Sequence, residues 1–288
     1  MFSAGSKVLH GATQFTNAPV HFGQVTLVLP HSWSDRDCNV TVTKPTGNTL
    51  YKHSDILVTS SSSDMVTSTV RGGQCGEPGH QIKLPVDQLF DNSRRKVLGN
   101  ILVSEWSKYR YGVFAETGVS GSSLYPNYYY HHGNVYPTGP SNTVLTGSWR
   151  YDNNTVGCDP TQTRDTCHYH VEGPNSGVTC SLNTQPELES VTGWCDDTTM
   201  SGPGVQAVLC HGASVRQVIQ EHPDFASSSS SSGDTDDGDD NLAPVLLPQL
   251  RFNVVRRPQP KYVLVIETSA RMRSTWQWVR KAIVNLIR

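Results

Sequence analysis

Short apolar runs set the pattern of the first hundred residues. In "QVTLVLP" the side chains from Val25 to Leu29 are β-branched or leucine, and Pro30 closes them. This is the pattern of a buried strand. "SDILVTSSSSD" predicts a second strand, Asp55 to Thr59, ending in a serine-rich loop. "RGGQCGEPGHQIKLP" predicts a turn-rich bend, then a short strand around Ile82 to Leu84. The period then changes. In "SRRKVLGNILVSEWSKYRYGVF", Val97, Ile101, Glu105, Lys108 and Tyr109 follow a three-to-four spacing, which predicts one long helix. Strands followed by a long helix imply an α/β or α+β layer.

Beyond the helix, "SSLYPNYYYHHGNVYPTGPSN" is polar, aromatic and broken by proline and glycine, so a long loop is expected. Ser214 to Gln220 predicts a short helix. "SSSSSSGDTDDGDD" has no means of burying a core and reads as a flexible acidic linker. "KYVLVIETSARM" predicts a buried strand running into a loop. "STWQWVRKAIVNLIR" predicts an amphipathic helix with Trp278, Ala282, Ile283 and Leu286 on one face. A lone strand and helix cannot bury both faces, so the last domain reads as cut short.

Composition narrows the class. The 288 residues allow about two domains. A net charge of −2 gives no general attraction to nucleic acid or anionic lipid. No apolar run is long enough for a transmembrane segment. Of seven cysteines, Cys158, Cys167, Cys180, Cys195 and Cys210 lie close together. With no C-x-x-C pair, they read as disulfides in an oxidising compartment rather than as a zinc cluster. Cys75 is a sixth disulfide candidate, and the odd count leaves at least one thiol unpaired or bonded between chains. The sequons at Asn39 and Asn153 are glycosylation candidates that fit the same compartment. "MFSAGSKVLHGAT" lacks the apolar core of a signal peptide, so the expected start lies upstream.

The long helix carries the chemistry. A zinc-hydrolase helix reads H-E-x-x-H: two histidines one turn apart bind the metal and the glutamate polarises a water. Here the five positions are Ser104, Glu105, Trp106, Ser107 and Lys108. The glutamate is in place and both histidines are absent. Other histidines are candidates only in outline. His131 and His132 lie in the expected loop. His168 and His170 would share a face if the segment were a strand, but exposed loop residues are the plainer expectation. "DTDDGDDN", Asp234 to Asn241, has a displaced glycine and no closing glutamate, so it reads as linker rather than calcium loop. Trp106, Tyr109, Tyr111 and Phe114 read as packing residues.

Taken in order, several stretches resemble the CLCA family, the calcium-activated chloride channel regulators. Glu105, Trp106, Arg110, Gly112, Val113, Phe114 and Glu116 match the family's H-E-W-x-H-x-R-W-G-V-F-D-E-Y. "CGEPGHQIKLP" is similar to its C-G-x-x-G-x-x-I-H-F-T-P, "ILVTSSSSD" to its D-V-L-V-A strand, and "SVRQVIQEHPDF" to its S-x-W-D-V-I-x-x-S-x-D-F. "VLVIETSARM" resembles the D-x-S-x-S-M start of a von Willebrand factor A domain.

The resemblance implies a zincin-like metallohydrolase domain with a disulfide-rich extension, then a truncated, Rossmann-like von Willebrand A start. The implied spans are 1–152, a cysteine-rich region 153–222, a Ser/Asp-rich linker 223–258, and 259–288. It also implies secretion or attachment at the cell surface. The implied partner is a calcium-activated chloride channel or another cell-surface protein. Family members would hold zinc in the first domain and magnesium or calcium in the last.

The departures alter that chemistry. The family's zinc ligands fall on Ser104, Lys108 and Ala115. A serine hydroxyl is a poor zinc ligand, alanine has no donor, and an ammonium repels a dication. Glu105 is then a vestigial general base with no activated water to serve, free to pair with Lys108. The ion-site positions of the last domain are Glu267, Ser269 and Arg271, where a fixed cation opposes ion binding. No bound cofactor is expected. The leading expectation is a non-catalytic pseudo-metalloprotease that regulates chloride conductance through its surfaces. One alternative is a zinc-dependent metalloendopeptidase with unusual ligands, such as Glu116 with the loop histidines. Another is a non-functional fragment of a longer CLCA protein.

Overall fold

A computed structural model describes residues 1–16, 18–30, 33, 41–43, 54–60, 67–70, 73–91, 93–163, 165–173, 175–196, 199, 202–226, 249–256 and 273–287. The chain opens with a helix that its apolar spacing had not suggested, α1 (Phe2–Ala12), which buries Gly5, Ser6, Leu9 and Ala12. Next come β1 (Gln24–Leu29), β2 (Ile56–Thr59), β3 (Ser68–Val70), β4 (Gln81–Pro85), the single-turn α2 (Val86–Phe90) and the long α3 (Arg95–Arg110). The expected strands and long helix fall where the periodicity placed them.

β2 and β3 flank β4, parallel on one side and antiparallel on the other. Ile82 and Leu84 of β4 are fully buried. α3 packs between this sheet and α1. Two glycines allow the helices to approach: a Cβ on Gly99 would come 3.0 Å from Ala4, and one on Gly5 would come 3.0 Å from Leu102.

The tyrosine-rich stretch is not a loop. It forms the hairpin β5 (Tyr128–His131) and β6 (Asn134–Pro137). His132 (φ 47°) and Gly133 (φ 80°) make the two-residue turn, both in the left-handed region that suits a strand-to-strand reversal. Tyrosines favour strands, and this turn chemistry outweighs the flanking prolines and glycines. β7 (Gly147–Tyr151) and β8 (Cys167–Val171) form a second antiparallel pair. His168 and His170 therefore lie on a strand, not in a loop.

Short helices follow: α4 (Val205–Leu209), α5 (Val215–Gln220) and α6 (Pro223–Ala226). α5 begins as expected, with the Ser214 hydroxyl accepting from the Gln217 N–H at 3.0 Å. The span read as linker, 223–258, begins in α6 and ends in a strand, β9 (Arg251–Arg256), parallel to β1. Among the described residues β1 is not buried as expected: it pairs only with β9, and Leu27 is exposed. α7 (Trp276–Ile287) forms where the amphipathic pattern placed it, with Trp278 74% exposed.

One core crosses the expected division at residue 152. Leu9, Val103 and Val113 pack with Val178, Leu182, Trp194 and Ile219. Disulfides join Cys75–Cys210, Cys158–Cys167 and Cys180–Cys195. All six candidate cysteines are used. Cys38, Asn39, the acidic stretch 234–241, the expected strand at 261–266 and the positions Glu267, Ser269 and Arg271 lie outside the described residues. No helix among the described residues is long and apolar enough to cross a membrane.

Candidate functional site

The last two turns of α3 and the segment that follows them form one face of the site. The turn out of α3 depends on Gly112, at φ 68°, where a Cβ would lie 2.4 Å from the Glu77 backbone nitrogen. The chain doubles back there, and residues 113–117 run beside α4. The Gln206 N–H donates to the Ala115 carbonyl at 2.9 Å. Its side-chain oxygen accepts from the Phe114 N–H at 2.7 Å.

Glu105 is buried, and its carboxylate meets two partners. Lys108 Nζ lies 2.6 Å from Oε1, and the Thr69 hydroxyl, on β3, lies 2.8 Å from both Oε2 and the Glu105 backbone carbonyl, which share its one proton. The expected Glu105–Lys108 pair is therefore present and mostly shielded from water. Ser104 points elsewhere, its hydroxyl 3.2 Å from Asn183 Oδ1. Ala115 offers only its backbone.

Asn183 organises the interior. Its Oδ1 accepts from Ser104 and from the Trp194 indole N–H, each at 3.2 Å, and its Nδ2 donates to the Phe114 carbonyl at 3.0 Å. Ser107 also approaches Oδ1, but its single proton goes to the nearer Ser104 carbonyl at 2.7 Å. The Asn183 carbonyl accepts from the Glu116 N–H at 3.3 Å. One buried amide thus ties α3 to the returning segment and to the disulfide-bonded loop. Sequence reasoning missed it, since a single asparagine in a loop carries no periodic signal.

Glu116 faces inward. The Ser181 hydroxyl donates to its Oε2. Burial pushes its carboxyl up to about 7, against the lowering effects of the Ser181 hydrogen bond and the Lys108 charge. Between the ordinary glutamate value and about 7, the folded protein holds a proton that the unfolded chain has lost. Stability must therefore fall as pH rises through that window, by about 3 kcal/mol in total. Urea midpoints for wild type and Glu116→Gln, measured from pH 4.5 to 8, test this. The variant should lack that slope and be the more stable protein at pH 8. An identical slope in both would remove Glu116 as its source.

The other histidines do not join this site. His131 and His132 touch each other at the hairpin turn, ring centroids 3.9 Å apart and planes inclined at 56°. His168 bridges the Ser120 hydroxyl at 2.9 Å and Asp152 at 2.7 Å, and His170 is exposed. The aromatic residues of α3 pack as expected: Trp106 meets Phe22 edge-on at 5.1 Å, and Tyr111 lies 5.7 Å from Phe225.

Two stretches matched by the motif comparison touch each other directly. Arg110 forms a two-point contact with Asp224, Nε to Oδ2 at 2.9 Å and a terminal nitrogen to Oδ1 at 2.5 Å. That bond holds Asp224 below the usual carboxylate range. The segment 104–116 and the segment 214–225 are therefore a single packed unit.

No curated protein and no solved structure matches the chain. Residues 1–232 match the family described as calcium-activated chloride channel N terminal. That match takes in the α3 motif, the three disulfides and the Arg110–Asp224 contact, and by it the chain belongs to the CLCA family.

Proposed function

We propose that this chain is an extracellular regulator of calcium-activated chloride conductance that acts by binding, with a zincin-like domain carrying no working metal site. The observation that carries the reading is how the motif helix satisfies itself. Glu105 is paired with Lys108 and within reach of the Thr69 hydroxyl, and Ser104 is engaged by Asn183. The residues at the three ligand positions do not fit zinc. One supplies an ammonium, one a hydroxyl committed elsewhere, and one no side-chain donor. A dication placed there would face the Lys108 charge at close range, and each added ångström of approach costs more in a partly dry site.

The competing metalloendopeptidase reading needs Glu116 and loop histidines as ligands. Glu116 is turned to Ser181, and His131 and His132 sit at the end of the hairpin with their rings in contact. Three disulfides fit an oxidising compartment. Asn153 lies on an exposed turn, where a glycan would project into solvent. A calcium-activated chloride channel at the cell surface is the partner implied by family membership.

The test is metal content. The chain, secreted behind an added signal peptide, is purified without chelator beside the variant Ser104→His, Lys108→His, Ala115→Asp. We expect no stoichiometric zinc in the natural chain and about one zinc per molecule in the variant, the normal loading of a three-ligand site. Stoichiometric zinc in the natural chain would overturn the reading. Application of the purified chain to cells with a calcium-activated chloride current tests the regulatory half, which an unchanged current would sink.

A further inference from the structure

A cleft of about 800 Å³ opens between the end of α1, the β5–β6 hairpin and the loops joined by Cys180–Cys195. It lies outside the motif site, to which Trp194 connects it: the indole N–H donates to Asn183 while the residue lines the cleft. Its size suits one or two sugar rings or a molecule of similar bulk.

Three features define what it would accept. Its walls are aromatic. Tyr129 and Tyr136 form a cross-strand pair with ring centroids 5.9 Å apart and planes tilted by 33°, and Phe15 meets Trp194 edge-on at 6.5 Å. Its rim carries the hydroxyls of Ser141, Thr143, Thr179 and Thr192. It also holds one arginine whose charge no described residue pairs. Arg216, half-buried on α5, lies 4.5 Å above the Phe15 ring and forms no ion pair with a described residue. The carboxylate that also lines the cleft, Asp196, is not within ion-pair distance of Arg216; the Thr199 hydroxyl donates to the nearer Asp196 backbone carbonyl at 2.9 Å.

We propose that this cleft binds an acidic sugar residue of a glycan. A pyranose has apolar C–H faces, a belt of hydroxyls and, in sialates and hexuronates, one carboxylate. The aromatic wall takes the C–H face. The rim serines and threonines exchange hydrogen bonds with the hydroxyls. Arg216 takes the carboxylate with its planar fork, a geometry that a point charge does not reproduce. Phe15 beneath the guanidinium holds the fork in place.

The test is titration of the whole chain with sialyllactose, a glucuronate-terminated disaccharide, neutral lactose, and a short peptide with a free C-terminal carboxylate. Saturable binding of sialyllactose or the glucuronate disaccharide is expected, with lactose at least about tenfold weaker. Which acidic sugar binds distinguishes the two sources of the carboxylate. Arg216→Gln should weaken acidic-sugar binding at least about tenfold, with Arg216→Lys intermediate. Tyr136→Leu, which keeps bulk and removes the ring, should weaken acidic sugar and lactose alike. Near-ultraviolet circular dichroism checks that each variant is folded. The proposal is overturned if no acidic sugar binds, if lactose binds as well as they do, if Arg216→Gln leaves affinity unchanged, or if the peptide binds more tightly than either sugar.

Discussion

Replacing Cys75 and Cys210 together with serine should cost about 4–5 kcal/mol, because this bridge closes a loop of more than a hundred residues in the unfolded chain. The two cysteines are 135 positions apart, against 15 for Cys180–Cys195 and 9 for Cys158–Cys167. The chain-entropy argument orders the three losses by those separations, with the shorter loops worth about 3 kcal/mol or less. Position adds to the effect. Cys75 precedes Gly76, whose N–H donates to the Gly112 carbonyl at 3.1 Å, and Cys210 ends α4, which holds residues 114–117. The bridge therefore clamps both supports of the returning segment. Denaturant titration of the three paired Cys→Ser variants checks the order. A larger loss from Cys158/Cys167 than from Cys75/Cys210 would refute the loop-closure account.

Asn183→Ala should cost about 3–5 kcal/mol, a large loss for removing one amide. The truncation strands the Ser104 hydroxyl, the Trp194 N–H and the Phe114 carbonyl away from water, and it opens a cavity in the core. Asn183→Asp keeps the acceptor, loses the donor to Phe114 and buries a charge, so it should rescue little. The decisive comparison is a double-mutant cycle with Ser104→Ala. With Asn183 already removed, deleting the Ser104 hydroxyl should cost less than in wild type, since its partner is gone. Additive losses in that cycle, or a cost below about 1 kcal/mol for Asn183→Ala, would show that the amide is not the organising contact.

Much of this was legible along the chain. The switch from strand runs to a three-to-four period located β2, β4 and α3, because burial of one face imposes its period on neighbouring residues. Cysteine density predicted disulfides without their pairing. The α3 motif could be set against a zinc helix by eye, and its departures at Ser104 and Lys108 are matters of residue identity alone. The von Willebrand A resemblance, at Glu267, Ser269 and Arg271, lies outside the described residues.

What failed to show had local or distant causes. α1 leaves no periodic signal because its buried face is built from Gly5, Ser6 and Ala12 as much as from Leu9, and such small side chains give little hydrophobic contrast. The β5–β6 hairpin was passed over because His132–Gly133 is a less familiar turn pair than Asn–Gly, though it reaches the same left-handed conformations. β9 stands next to an acidic stretch that dominated the reading of its neighbourhood, and its pairing partner β1 lies more than two hundred residues away.

The sequence by itself determined family membership, the strand-to-helix order around α3, the identities of Ser104, Lys108 and Ala115, and the set of six cysteines. Tertiary structure alone decided which cysteines pair, that Glu116 turns to Ser181 and is pushed up to about 7, and that Asn183 holds three segments together. It also decided that Arg216 stands over Phe15 in a cleft, with no ion-pair partner among the described residues. The division has one physical reason. Periodicity and residue identity are local, whereas burial, hydrogen-bond partners and the field at a carboxylate come from residues that meet only when the chain is folded.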